Sequence, residues 1–263
     1  MIVSASDVPL PGCTTIIHDC ATDCKKAGKS LDFIIMKMLC VSDTTKTLAF
    51  SSNVASIYEG TDIIFSCGDM PVESHDYLAT MLHRDVYYVY GNHNLSTFRQ
   101  EMFKGHDDYK PLTPDYEKKF YGFMIDGKVV RDKRTGLLIA GLGGSMRYNE
   151  GDSQYTESQM KRRIRRLVPR LYRNKRKYGR YVDILITHAP PFGMGDGPDL
   201  CHTGFKCFLD FMDRFKPRYL LHGHVHLFDS NSERITQYGD TRVVNIFGSY
   251  MVEDDTLEAL NAE

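Results

Sequence analysis

Short apolar runs and amphipathic stretches alternate along most of this chain. Runs of strand length fall at Phe33–Val41, Asp62–Cys67, Val86–Tyr90, Gly136–Ala140, Asp183–Thr187, Tyr219–Leu221 and Thr241–Phe247. Many are rich in β-branched and aromatic residues, which suit a pleated, buried surface. Helical patterning fits between them, at about 73–83, 156–178 and 203–214. This alternation predicts an α/β fold with a strand-rich C-terminal portion. No internal repeat and no linker rich in Pro, Gly or Ser interrupts it. A single domain over 36–263 is therefore expected. Residues 1–35 carry few structural signals and read as an N-terminal extension.

The stretch 156–178 overlaps an unusual block of charge. From Lys161 to Arg180 there are eleven Lys or Arg and no Asp or Glu. Ile164, Leu167, Val168 and Leu171 make an apolar stripe at helical spacing within it, and Pro169 predicts a kink or a break. The whole chain carries −1 and this block +11, which leaves the remainder at −12. The block reads either as a solvated helix face or as a basic face for phosphate-rich ligands or nucleic acid.

Composition narrows the class. An apolar content of 42% with 25% charged residues provides a core and excludes a disordered or collagen-like chain. The apolar runs are too short to span a membrane. Seven cysteines, an odd number without regular spacing, argue against a disulfide framework and for a reducing cytoplasm. Residues 1–12 show no basic segment followed by a long apolar one, so no secretory leader is expected.

The candidate chemistry sits where the strands end. The predicted strands run into Ser42-Asp43, Gly68-Asp69, Gly91-Asn92-His93, His188-Ala189-Pro190-Pro191 and His222-Gly223-His224-Val225-His226. In open α/β sheets, the carboxyl ends of the strands form the ligand edge. Each residue alone has an ordinary explanation, such as a helix cap, a turn or a packed histidine. Together they are the carboxylate, amide and imidazole donors of a divalent transition-metal site. His18, Cys20 and Cys24 are too few and too irregular for a zinc motif. His75, His83 and His106 read as surface residues.

This constellation resembles the calcineurin-like metallophosphoesterases over about residues 36–250. Their signature blocks are Asp-x-His, Gly-Asp, Gly-Asn-His, a lone His and Gly-His-x-His. Four of the five match here in order. The resemblance implies a four-layer α/β/β/α sandwich of two mixed sheets, the metallo-dependent phosphatase fold. It also implies a site for one or two divalent ions, with Mn placed ahead of Fe, Zn or Ni. Asp69 would bridge the ions, Asn92, His188 and His224 would complete one, and Asp43 and His226 would hold the other. His93 would assist the leaving group while a metal-bound hydroxide attacks phosphorus.

The first block departs from that pattern: position 45 is Thr. A hydroxyl is a poorer transition-metal ligand than imidazole. Weakened binding of the first ion is expected, although His202 is a chemical candidate to substitute and Lys46 a candidate to replace that ion's charge. The related segments Gly141–Asn149, Tyr155–Glu157 and His188–Pro191 resemble family members with Asp-x-x in the first block. Arg147, in the glycine-rich segment, is a candidate phosphate clamp, and it joins His202 as a candidate substrate-binding residue. Three functions stay open: a phosphoesterase for small or medium esters, a nuclease using the 161–180 face, and a non-catalytic scaffold.

Overall fold

The computed structural model describes residues 35–44, 53–93, 121–227 and 233–255. The extension up to residue 34, the His18–Cys20–Cys24 set, Thr45, Lys46 and His106 lie outside them.

One sheet contains β1 (Met36–Ser42), β2 (Ile63–Ser66), β3 (Val86–Tyr88), β4 (Phe123–Met124) and β13 (Gly248–Asp254), in the order β13-β1-β2-β3-β4. Strands β1 to β4 are parallel, and β13 runs antiparallel to β1. The second sheet contains β5 (Val129–Arg131), β6 (Leu138–Leu142), β9 (Ile184–Thr187), β10 (Tyr219–His222), β11 (Ile235–Tyr238) and β12 (Thr241–Asn245). Its order is β11-β12-β10-β9-β6-β5, parallel in the middle and antiparallel at both edges. A small parallel pair, β7 (Ser145–Met146) with β8 (Gln154–Tyr155), sits apart.

The period of two along each strand builds the layers. In β1, Met36, Met38 and Cys40 join a core with Ile139, Ile186 and Leu221 of the second sheet. The alternate residues, Leu39 and Val41, face Val54 of α1 (Val54–Ile57) and Leu78 of α2 (Val72–Leu82). On the far side, Leu185 and Leu220 meet Leu167 and Leu171 of α3 (Glu157–Tyr178) and Phe208 and Phe211 of α4 (Lys206–Phe215). The expected α/β/β/α sandwich of two mixed sheets is therefore present.

Helix α3 starts with a capping box: Gln159 N–H donates to Thr156 Oγ1, and the Gln159 side chain accepts from Thr156 N–H. It ends at Gly179, whose φ of 74° is a left-handed cap. Pro169 does not break it. Buried Leu167 and Leu171 flank the proline and hold both halves against the second sheet, which offsets one lost backbone hydrogen bond. Glu157 also accepts from the N–H groups of Lys206 and Cys207, so the start of α3 caps α4.

One expectation needs correction. His75 is buried, not at the surface: its Nε2 lies 2.9 Å from Ser66 Oγ and its ring packs on Tyr88. The expected strand at 241–247 is present as β12, which stops at Asn245; the chain then crosses to the other sheet and pairs from Gly248 as β13 with β1. Strands β4, β5, β11 and β13 were not anticipated. They are very short or lie at sheet edges, where one strand face meets solvent and the apolar signal thins.

Candidate metal centre at the strand edge

Strands β1, β2 and β3 of one sheet and β9 and β10 of the other deliver their C-terminal turns to one edge. Asp43, Asp69 and His224 sit in those turns with φ of 64°, 53° and 68°. Non-glycine residues held in this left-handed region cluster at functional sites. The turns are packed against each other. A Cβ on Gly68 would lie 2.6 Å from Gly91 N and 2.7 Å from His188 Nδ1. A Cβ on Gly91 would strike the Asp69 carboxylate. The glycines in Gly-Asp and Gly-Asn-His are thus needed for close approach, not only for turning.

The side chains converge. Ligating atoms of Asp43, Asp69 and His188 all lie within 4.8 Å of one another. His188 Nδ1–H donates to the carbonyl of Cys67 at 2.8 Å, which directs Nε2 into the site. That Nε2 lies 2.9 Å from Asn92 Oδ1 and 3.4 Å from Asp69 Oδ2. His224 Nε2–H donates to the carbonyl of Cys201 at 2.8 Å, leaving Nδ1 as its lone-pair nitrogen. A carbonyl only accepts, so Nδ1 of His188 and Nε2 of His224 carry protons; for His224 this sets the tautomer, while His188 Nε2 faces acceptors that favour a proton there as well. Backbone N–H groups steady the carboxylates: His93 N–H donates to Asp69 at 2.9 Å, and His224 N–H to Asp43 at 3.0 Å.

Electrostatics follow from burial and crowding. Burial raises the Asp43 carboxyl despite the opposing charge of His188 and a hydrogen bond from Ser42. Burial also works against ionised Asp69, but the charge and hydrogen bond of His188, with the His93 N–H, hold it down to about 2. His188 would be pushed down by burial, yet Asp69 and then Asp43 lift it to about 9. Burial, and then the charge of His188, press His224 down to about 3.

The remaining expected residues are placed less tightly. His226 Nε2 is 4.0 Å from Asp43 Oδ1, and its ring stacks on Phe247 at 4.5 Å between centroids. His93 is exposed at the rim. His202 groups with His224 and Cys201; its Nδ1 lies 2.8 Å from Asp199 Oδ2. Arg147 is exposed, and its guanidinium donates to the carbonyl of Gln154 at 3.4 Å. Its neighbour Tyr148 is the residue of that segment that reaches the site: its hydroxyl accepts from Asn92 Nδ2 at 3.0 Å. Tyr148 was missed because it lies in the bend after β7, where its backbone N–H bonds the Gln154 side chain, and no local pattern tells which side chain of a bend turns toward the strand edge. His222 is buried beside the edge, with Nδ1 donating to the carbonyl of Gly223.

A double-sheet sandwich with carboxylate, amide and imidazole donors gathered at its strand ends defines the metallo-dependent phosphatase fold class. A family model for calcineurin-like phosphoesterases matches residues 36–228, and the chain belongs to that family. Among solved structures, TT1561 of Thermus thermophilus aligns with a TM-score of 0.50 at 14% identity, covering 81% of this chain and 90% of that one. That likeness concerns the fold. The sulfate thiohydrolase SoxB of Thermus thermophilus aligns at a TM-score of 0.37 and 15% identity, over 74% of this chain and 35% of that one. No curated protein sequence matches the chain. The family binds divalent ions, and the residues here fit them. Two crowded carboxylates, the His188 imidazole and an amide oxygen beside it are a hard-to-borderline donor set for Mn, Fe, Zn or Ni; His224, whose ring centroid lies 4.8 Å from that of His188, groups instead with Cys201 and His202.

Proposed function

We propose that this protein is a metal-dependent phosphoesterase for a small or medium phosphoester, either a monoester or a diester. The observation that carries this reading is the convergence of Asp43, Asp69 and His188 on one point, with Asn92 Oδ1 against His188 Nε2. In this reading Asp69 would serve both ion positions. Asn92, His188 and His224 would hold the inner ion, and Asp43 and His226 the outer one. Manganese is the first candidate. Bound divalent ions supply Lewis acidity toward phosphoryl oxygens and an activated water.

The chain's own groups do the rest. His93, at the rim beside Asp69, donates to the oxygen of the leaving group. Tyr148 fixes the Asn92 amide so that its oxygen faces inward. Arg147 and His202 serve the substrate from the outer margin. The free thiols of Cys40, Cys67, Cys201 and Cys207 fit a reducing, cytoplasmic setting. Among the described residues, no helix is long and apolar enough to cross a membrane.

The test is hydrolysis of p-nitrophenyl phosphate and bis-p-nitrophenyl phosphate with Mn, Fe, Zn and Ni supplied in turn. Turnover of either ester that disappears with a chelator and returns with metal supports the reading. No turnover with any ion would favour a non-catalytic scaffold.

A further inference from the structure

Helix α3 carries a charged surface that the metal edge does not use. Its buried residues, Met160, Leu167, Leu171 and Asn174, share one face. At 3.6 residues per turn, Arg162, Arg165, Arg166, Arg170, Arg173 and Arg176 fall in an arc of about 140° on the opposite face. All six are exposed. Other cations of the helix are engaged: Lys161 pairs with Asp210 at 3.6 Å, and Arg163 binds Asp126 and the carbonyl of Gly143. Among the described residues, no carboxylate forms an ion pair with any of the six.

Arg162–Arg166 and Arg166–Arg170 are like-charge pairs one turn apart. Each such pair destabilises the isolated helix. Packing does not reward this arrangement, because all six are exposed; Arg165 also borders the groove between α3 and α4.

We propose that this ridge docks the sugar-phosphate backbone of double-stranded nucleic acid without reading base sequence. Guanidinium suits bidentate contact with phosphate. The ridge from Arg162 to Arg176 is about 21 Å long, at about 1.5 Å of rise per residue. A duplex presents a phosphate charge every ~1.7 Å of its axis, a uniform partner for a uniform ridge. Single-strand tracks rely on exposed aromatic rings that stack on bases. The arc holds none; nearby Tyr172 accepts a hydrogen bond from Arg214 and packs on Phe215. A membrane would need the helix's apolar stripe, and that stripe is buried in the fold. The proposal goes beyond the phosphoesterase reading and survives its failure, since docking needs no turnover.

The test is fluorescence anisotropy of the full chain with a labelled 20-base-pair duplex in EDTA. Competitors are the single strand, polyglutamate, and vesicles of phosphatidylserine and phosphatidylcholine. With about five phosphates neutralised, the log–log salt slope should be about −4 to −5. The variant R162Q/R166Q/R170Q/R173Q should bind at least about 30-fold more weakly, with a slope shallower by about 3–4. K161Q should bind like the parent. If circular dichroism shows the quadruple variant misfolded, R166Q/R170Q should still flatten the slope by about 2. Three results would overturn the proposal: no duplex binding at 50 mM salt, binding indifferent to the arginine substitutions, or equal competition by any of the three competitors.

Discussion

The two halves of the metal edge are built to different standards. Around His188 everything is buried and tied down: its side chain has no exposure and that of Asp69 has 11%. Carbonyls orient the rings of His188 and His224, and Asn92 is held by Tyr148. Around Asp43 the carboxylate is just as buried, but its partner His226 is 46% exposed and stands 4.0 Å away. The segment that begins at Thr45 contributes no imidazole at that position. A site arranged by folding binds its ion without further ordering, whereas a site that must gather its ligands loses affinity to that ordering. The inner position should therefore hold its ion tightly and the outer one weakly.

The largest effect expected is at the inner half. Asp69→Asn or His188→Ala should lower kcat/KM for bis-p-nitrophenyl phosphate by at least about 10³-fold. His226→Ala should cost about 10-fold or less at saturating Mn²⁺, with a raised Mn²⁺ requirement; equal losses at both positions would erase the asymmetry. Elemental analysis after chelator dialysis should next find fewer than two tightly held ions per chain, and a second tight ion would contradict the weak outer position. Tyr148→Phe comes third, with a drop of about 10-fold because Asn92 loses its acceptor. Arg147→Ala should do less than Tyr148→Phe, and the reverse order would restore Arg147 as the principal substrate contact.

The smallest effect concerns the floor beneath the inner half. His75 bonds Ser66 one residue before Cys67, and burial presses its imidazole down to about 3. The unfolded chain then binds a proton that the folded chain refuses, so stability is complete above about pH 6.5 and falls as the pH drops toward 3. The slope is at most about 1.4 kcal/mol per pH unit for one proton. Urea titrations of His75→Phe should show a flatter decline between pH 6.5 and 4 than the parent.

Much of this was legible beforehand. The α/β alternation, the edge residues and the helix bearing the arginines all follow from local pattern, because each is a run or a spacing within a few neighbours. What escaped it depended on partners distant in sequence. His75 sits on a helix whose inward face is set by where α2 meets β3. Pro169 survives because Leu167 and Leu171 are already anchored on the second sheet. Tyr148 and Arg147 exchange prominence through a single step into the bend that follows β7.

The sequence by itself determined which chemistry is present: carboxylate, amide and imidazole groups after successive strands, glycines where turns crowd, and a concentrated basic helix. Those are properties of residue type and short-range order. Tertiary structure decided which donors meet, which histidine nitrogen faces inward, and which half of the edge is dry. Such outcomes depend on contacts as distant in sequence as His188 with Cys67 and His224 with Asp43. Desolvation and carbonyl placement arise only when the two sheets close on each other, and no local pattern encodes them.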